Sequence, residues 1–235
     1  MHQSELGAAR SFALFAGLSD EDVDTVLSLA SIRRFEPGES VFEQGDEANY
    51  FYVLLFGRLR VMQVTAEGHQ VIVRMVGPGD LFGIAKALNR NDYPGTAAAV
   101  LPSAALAWPM SIWTDLVAKF PSFAQGAILT IGTRLQEAHT RMRELATEEV
   151  ERRIAHTVLR LCNQAGKKEV SGIRIDFPVS KQDIAEMTGT TLHTVSRVLT
   201  AWEQAGLVES GRQKLLVKNP HRLLLIGDGT VPGLL

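Results

Sequence analysis

VSKQDIAEMTGTTLHTVSRVLTAWEQAG, residues Val179 to Gly206, is the stretch on which the reading of this chain turns. It predicts two short helices joined by a tight turn, the second closed by a glycine. Ser180, followed three residues on by Asp183, has capping-box spacing. Ile184, Ala185 and Met187 give the first helix an apolar side. Gly189 marks the turn, because a positive φ costs least at glycine. Thr190 or Thr191 can cap the second helix. Within it Val195, Val198, Leu199 and Trp202 recur at helical spacing and should face a core. His193, Thr194, Ser196, Arg197 and Thr200 are left for the other side.

A helix pair of this kind can insert its second helix into the major groove of DNA. Arg197 can contact guanine O6 and N7 in bidentate fashion, worth roughly 1–3 kcal/mol of base discrimination. His193 and Ser196 lie within a turn of it and are placed to read neighbouring bases or to contact phosphates. Thr194 and Ser180 suit phosphate oxygens, which fix register without reading sequence. The following LVESGRQKLLV reads as a two-stranded wing around Ser210-Gly211, with Arg212 and Lys214 directed at backbone phosphates. A glycine-linked helix pair can also be a packed structural hairpin. The wing, the polar outward face and the placed arginine favour the DNA-reading interpretation.

Working outward, 235 residues leave room for one or two domains with a buried core. Hydrophobic content of 46% and charged content of 21% are those of a globular protein. The formal net charge of −2 requires DNA affinity to come from a local basic surface. The single cysteine, Cys162, excludes an internal disulfide and suggests a reducing compartment. No apolar run reaches membrane-span length, and MHQSELGAARSF lacks the apolar core of a signal peptide. A cytoplasmic location without membrane association is expected.

The texture divides the chain. Leu18 to Ser31 predicts a helix capped by Ser19. From Arg33 to about Trp108, short β-like runs such as SVFEQG, YFYVLLFGRLRVMQV and QVIVRMVGPGDLFG alternate with turns at Gly57, Glu67-Gly68 and Gly77-Pro78-Gly79. Strands at this spacing suggest a closed roll able to hold a small ligand. A long helix then starts near Pro121 and Ser122. Ile128, Ile131, Leu135, Ala138, Met142 and Leu145 form a heptad seam. Arg134, Glu137, Arg141 and Glu144 read as its charged flanks and favour a partner helix over packing on the chain's own roll. Twofold symmetry would then match DNA half-sites one helical turn, about 34 Å, apart. EVERRIAHTVLRLC predicts an amphipathic helix supporting the reader, Gly166 to Phe177 a loop and short strand, and DGTVPGLL a disordered tail. The fold class expected is α+β: a sensory β-roll (jelly roll) with its N-terminal helix over 1–120, a coiled-coil dimerisation helix over 121–147, a winged helix-turn-helix over 148–227 and a tail over 228–235.

FEPGESVFEQGD, VGPGDLFG, ERRIAHTVL and TTLHTVSRVL together resemble the Crp/Fnr family of bacterial transcription regulators, over about Leu14 to Val217. The resemblance implies a cyclic-nucleotide-binding-like roll with a winged reader, a homodimer on a palindromic promoter site, contact with RNA polymerase and an activator's output. It places an effector pocket at Gly83, Ile84, Thr96, Leu135 and His139. Cyclic-AMP-binding members carry Gly-Glu-Leu and Arg-Ser in the roll. This chain has Gly83-Ile84-Ala85 and Gly95-Thr96-Ala97, so a cyclic phosphate would lack its charge partner and cyclic AMP is not expected. Iron–sulfur members need four cysteines, so no cluster is expected either. Cys162 reads as a small core residue.

NDYPGTA and HTVSR make the chain most similar to the NnrR/Dnr-type branch, which responds to nitric oxide in denitrification. That implies haem, with His139, His2 and His69 as candidate ligands. No other metal site is assured. Fnr-like members read DNA with Glu-x-x-Ser-Arg. Here His193 replaces the Glu while Ser196 and Arg197 remain, which implies a TTG-N-CAA-like inverted repeat with a changed outer base. Two rivals remain. One is a regulator of this type that binds DNA without an effector or with a different small ligand. The other is a cupin-type metalloenzyme, disfavoured because the roll holds only His69 and no catalytic set.

Overall fold

The computed structural model describes residues 7–234, so His2 lies outside the described residues. The chain divides into two compact units. One holds the residues up to His69 with Val73–Glu137, the other Gln70–Ile72 with the residues from Ala138 onward.

The first unit is built on strands, two of which, Tyr50–Phe56 and Ser103–Pro109, bury most of their side chains. Helix α1 (Asp20–Ser28) starts where the Ser19 side chain accepts from the Asp22 amide at 3.1 Å, and Val23, Val26 and Leu27 face inward. It is shorter than expected because Ser31 already pairs with Ala107. Eight strands follow: β1 (Ser31–Phe35), β2 (Ser40–Phe42), β3 (Tyr50–Phe56), β4 (Leu59–Val64), β5 (Gln70–Val76), β6 (Leu81–Phe82), β7 (Thr96–Ala99) and β8 (Ser103–Pro109). They form two four-stranded sheets, ordered β1-β8-β3-β6 and β2-β7-β4-β5. Phe51 stacks on Trp108 at 5.4 Å between ring centroids and meets Trp113 edge-on at 4.9 Å. Trp108 donates from Nε1 to the Val26 carbonyl at 2.8 Å, which ties α1 to β8 inside the core. Helix α2 (Trp113–Lys119) leads into α3 (Pro121–Thr147). Phe123 and Ala127 of α3 are buried, and Ile131 is half-buried against the roll core.

The expected heptad pattern therefore describes only part of α3. Ile131 serves the roll rather than a partner helix. Two of the expected charged flanks also face their own chain. Glu144 is buried and accepts from Arg160 Nη1 at 2.6 Å, and Arg134 lines a cavity in the roll. What stays open is a stripe in which Ile128 is 66%, Leu135 55%, Met142 61% and Leu145 53% exposed, with Ala138 exposed among them.

The second unit packs α4 (Val150–Ala165), α5 (Lys181–Thr188), α6 (Leu192–Gln204) and α7 (Pro220–Gly227) beside a sheet ordered β11-β12-β10-β9. Its strands are β9 (Gly166–Glu169), β10 (Gly172–Ile175), β11 (Val208–Gly211) and β12 (Lys214–Val217). Residues 166–175 thus form a hairpin where a loop and one strand were expected. GKKE is fully exposed and carries no apolar alternation, so only pairing with β10 makes it a strand. Burial pushes the Cys162 thiol up to about 11, leaving it protonated within the core. The expected disordered tail is docked through Leu234. The Leu234 amide donates to both Glu151 oxygens at 2.9 and 3.0 Å, because a buried carboxylate needs donors and the tail backbone supplies one.

Replacing Trp108 by Phe keeps an aromatic ring but loses the pyrrole N–H, leaving the Val26 carbonyl without its donor. The expected cost is about 1–3 kcal/mol, measured as a lower denaturant midpoint at unchanged slope.

Candidate nucleic-acid interface and roll cavity

The reader is assembled by local chemistry first. At Ser180 the hydroxyl accepts from the Asp183 amide at 3.0 Å while the Asp183 carboxylate accepts from the Ser180 amide at 2.7 Å, completing the expected capping box. Gly189 ends α5 with φ 61°. A side chain there would be strained, and its Cβ would come within 3.2 Å of Leu145. Of the two expected caps for α6, Thr191 is used, accepting from the Thr194 amide at 3.1 Å.

Packing then sets which face is presented. Val195, Val198, Leu199 and Trp202 are buried, and Trp202 donates from Nε1 to the buried Glu151 carboxylate at 2.8 Å. That leaves His193, Arg197 and Thr200 exposed and Ser196 half-buried. The structure thus brings His193, Ser196 and Arg197 to one outward face, within about one helical turn of each other.

Two predicted phosphate contacts are otherwise engaged. Ser180 spends its hydroxyl on the cap and also donates to Asp183 Oδ2 at 2.7 Å. Thr194 Oγ1 lies 2.9 Å from Thr191 Oγ1. Arg212 and Lys214 are exposed in the wing as expected.

Some contributors escaped the sequence reading. Lys181 donates from Nζ to Ser196 Oγ at 3.3 Å, placing a cation beside the reading face. The lysine follows the capping serine directly, so its position at the first turn of α5 was the available signal. Leu192 is 49% exposed at the start of α6, where an apolar side chain can meet a thymine methyl. Lys181 and Arg212 line one open depression together with Glu203, Ser210 and Gln213. Glu203 fixes the wing to α6, accepting from the Ser210 amide at 2.7 Å and from its hydroxyl at 2.6 Å. The Ser210 hydroxyl bond holds the Glu203 carboxyl below its usual range.

In the roll, Phe42, Val61, Phe82, Gly83, Ile84 and Tyr93 line a cavity of about 150 Å³ with Arg74 and Arg134. Phe42 stacks on Tyr93 at 3.8 Å, and Gly83 (φ 68°) lies so close that a Cβ would reach Tyr52 at 3.0 Å. Of the five pocket residues expected, Gly83 and Ile84 line the cavity, whereas Thr96, Leu135 and His139 do not. Thr96 accepts from the Gln44 amide at 3.0 Å, and Leu135 and His139 lie exposed on α3. The expectation of a pocket lacking positive charge is also corrected. The residues at Ile84-Ala85 and Gly95-Thr96 are uncharged, but Arg74 and Arg134 bring two guanidinium groups from elsewhere.

Haem does not fit these residues. His69 sits exposed in the β4–β5 turn and no imidazole lines the cavity. The volume is below the 300 Å³ or so at which sites for drug-sized ligands begin. Among the described residues no group of three or more His, Cys, Asp or Glu could hold a metal ion, and no helix is long and apolar enough to cross a membrane.

Comparison with known proteins followed the same division. Residues 32–120 match the cyclic nucleotide-binding domain and residues 152–226 the Crp-like helix-turn-helix domain. The chain is 31% identical over 216 residues to the cyclic AMP receptor protein of Thermus thermophilus, covering 92% of this chain and 97% of that one. It is 24% identical over 215 residues to the transcriptional activator protein FnrA of Stutzerimonas stutzeri, covering 91% and 88%. The structure of FixK2 from Bradyrhizobium japonicum shares the fold with a TM-score of 0.73 at 22% identity, covering 83% of this chain and 96% of that one.

Glu203→Ala should loosen the wing at neutral pH by about 1 kcal/mol, modest because the carboxylate is partly exposed. Its depressed folded pKa means the stabilisation is present above the unfolded carboxyl value and is lost as pH falls through the folded one. Hydrogen exchange at the Ser210 amide should be roughly fivefold faster in the variant at neutral pH, and the ratio to the parent should fall towards one in acid.

Proposed function

The chain belongs to the Crp/Fnr family of DNA-binding transcription regulators, not enzymes, and on that premise we propose that it acts as a homodimer on an inverted repeat under control of a small ligand in the roll. The observation that carries the DNA reading is the outward face of α6. Arg197 is exposed there beside Ser196 and His193, while the opposite face, Trp202 included, is locked in the core. Arg197 reads guanine in each half-site, Ser196 and His193 read the bases beside it, and the expected site is a TTG-N-CAA-like repeat with an altered outer base. Lys181, Arg212 and Lys214 supply phosphate contacts that hold register.

The dimer reading is supported by the exposed stripe of Ile128, Leu135, Met142 and Leu145 on α3. Burying such a side chain from full exposure is worth about 1.5–3 kcal/mol; these are already partly covered, so a facing copy of the same helix can supply roughly half of that for each. An effector acts by its differential affinity for two dimer states that present the reading helices differently. In an activator, surfaces of the roll would then meet RNA polymerase.

The nitric-oxide expectation depended on haem, and no described histidine supports that route. The ligand reading therefore rests on the roll cavity itself.

Arg197→Ala should abolish preference for the inverted repeat while leaving weak, salt-sensitive binding to any duplex. Competition with unrelated DNA across a salt series measures this, and unchanged specificity would remove Arg197 from the base-reading role. Leu135→Glu together with Met142→Glu should shift the protein to monomers in sedimentation and weaken binding to the full repeat far more than to a half-site.

A further inference from the structure

A serine hydroxyl can donate its one proton or accept through its lone pairs, so by itself it meets donors and acceptors on a base edge alike. Ser196 is not by itself. Lys181 Nζ, in the first turn of α5, donates to Ser196 Oγ at 3.3 Å, and both residues are half-buried. An ammonium group is a donor only, so the Ser196 oxygen has to accept from it and the hydroxyl proton is turned away. A second positive hydrogen brought to the same oxygen meets the ammonium charge and is repelled. An acceptor is drawn to the proton.

The lysine is held where it can do this. It directly follows Ser180, whose cap on the Asp183 amide fixes the start of α5. Glu203, two helical turns beyond Ser196 on α6, lies close enough to feel its charge. The Glu203 carboxyl is held below its usual range first by the Ser210 hydroxyl and in smaller part by Lys181. Two groups on one side of α6 thus keep the ammonium beside the reading face. Three N–H donors leave Lys181 able to meet a phosphate as well.

We propose that Lys181 is a positioning residue for base recognition: it fixes Ser196 as a hydrogen-bond donor, so that Ser196 rejects cytosine at the base it faces in each half-site. In the major groove guanine offers N7 and O6, adenine N7 and thymine O4 as acceptors, whereas cytosine presents only its amino group. The inference rests on the reading of Ser196 as a base contact. A phosphate contact acts equally on every sequence, whereas the polarity of one hydroxyl acts at one base position, so the two roles of Lys181 are separable.

The test uses full-length protein and an inverted repeat that it selects from a random duplex pool. Each half-site position is then set to each of the four bases, and binding is measured by competition. Ser196→Ala locates the position read by Ser196, as the one whose base preference flattens. There the parent should bind cytosine roughly tenfold more weakly than its preferred base. Lys181→Met, which keeps an apolar stem without the donor, should cut that penalty to about twofold and leave the ranking at other positions unchanged. Lys181→Gln, whose amide can accept as well as donate, should do the same. Added to Ser196→Ala, Lys181→Met should weaken all duplexes by one common factor. A cytosine penalty that persists in both lysine variants reduces Lys181 to a phosphate contact and overturns the proposal. So does a parent that tolerates cytosine at that position. If Ser196→Ala flattens no position, it is the base-reading role of Ser196 that fails, and the proposal goes with it.

Discussion

The reading helix is held in orientation by one buried carboxylate. Glu151, on α4, accepts from the indole N–H of Trp202 on α6 and from the backbone of Leu234. A carboxylate so placed is tolerated only while its donors stay in position, so the bond fixes the rotation of α6 about its own axis as well as its place. Rotation matters because the helix has two faces of opposite use. With Trp202, Val195, Val198 and Leu199 committed to the core, Arg197 and His193 have nowhere to point but outward. The Glu203–Ser210 contact ties the β11–β12 hairpin to α6, so the helix and the wing present a single surface.

The roll applies a different logic. Its core is aromatic and tightly interlocked around Phe51, Trp108 and Trp113. Against that background a cavity with two arginines is an expensive feature. Ile84-Ala85 and Gly95 contribute uncharged lining to that cavity, while Arg74 and Arg134 bring guanidinium groups to it from different elements. The change is one of position rather than loss of charge. Arg134 comes from the long helix, so any occupant touches the element that also carries the exposed apolar stripe.

That helix serves several surfaces along its length. Phe123, Ala127 and Ile131 complete the roll core, Arg134 enters the cavity and Glu144 binds Arg160 of α4. Ile128, Leu135 and Met142, spaced by sevens, stay uncovered. An exposed apolar stripe on a helix whose inward side is used by its own chain is the kind of surface that marks an interaction site.

Sequence alone determined the elements whose cause is local. Capping at Ser19, Ser180 and Thr191, the left-handed turn at Gly189 and the apolar face of α6 follow from chemistry within a few residues, so the reader and its outward triad are legible in the order of the amino acids. The roll's strands are legible in the same way, as short β-like runs broken by glycine. Only the tertiary structure decided what depends on groups distant in the chain. It engaged the Ser180 and Thr194 hydroxyls within the fold, paired the featureless GKKE with β10, docked the tail on Glu151, turned Ile131 and Glu144 inward, and set Arg74 and Arg134 at one cavity in place of Leu135 and His139. A heptad pattern records spacing along one helix. It cannot record which neighbours occupy each face, because burial and charge pairing are properties of elements meeting in space.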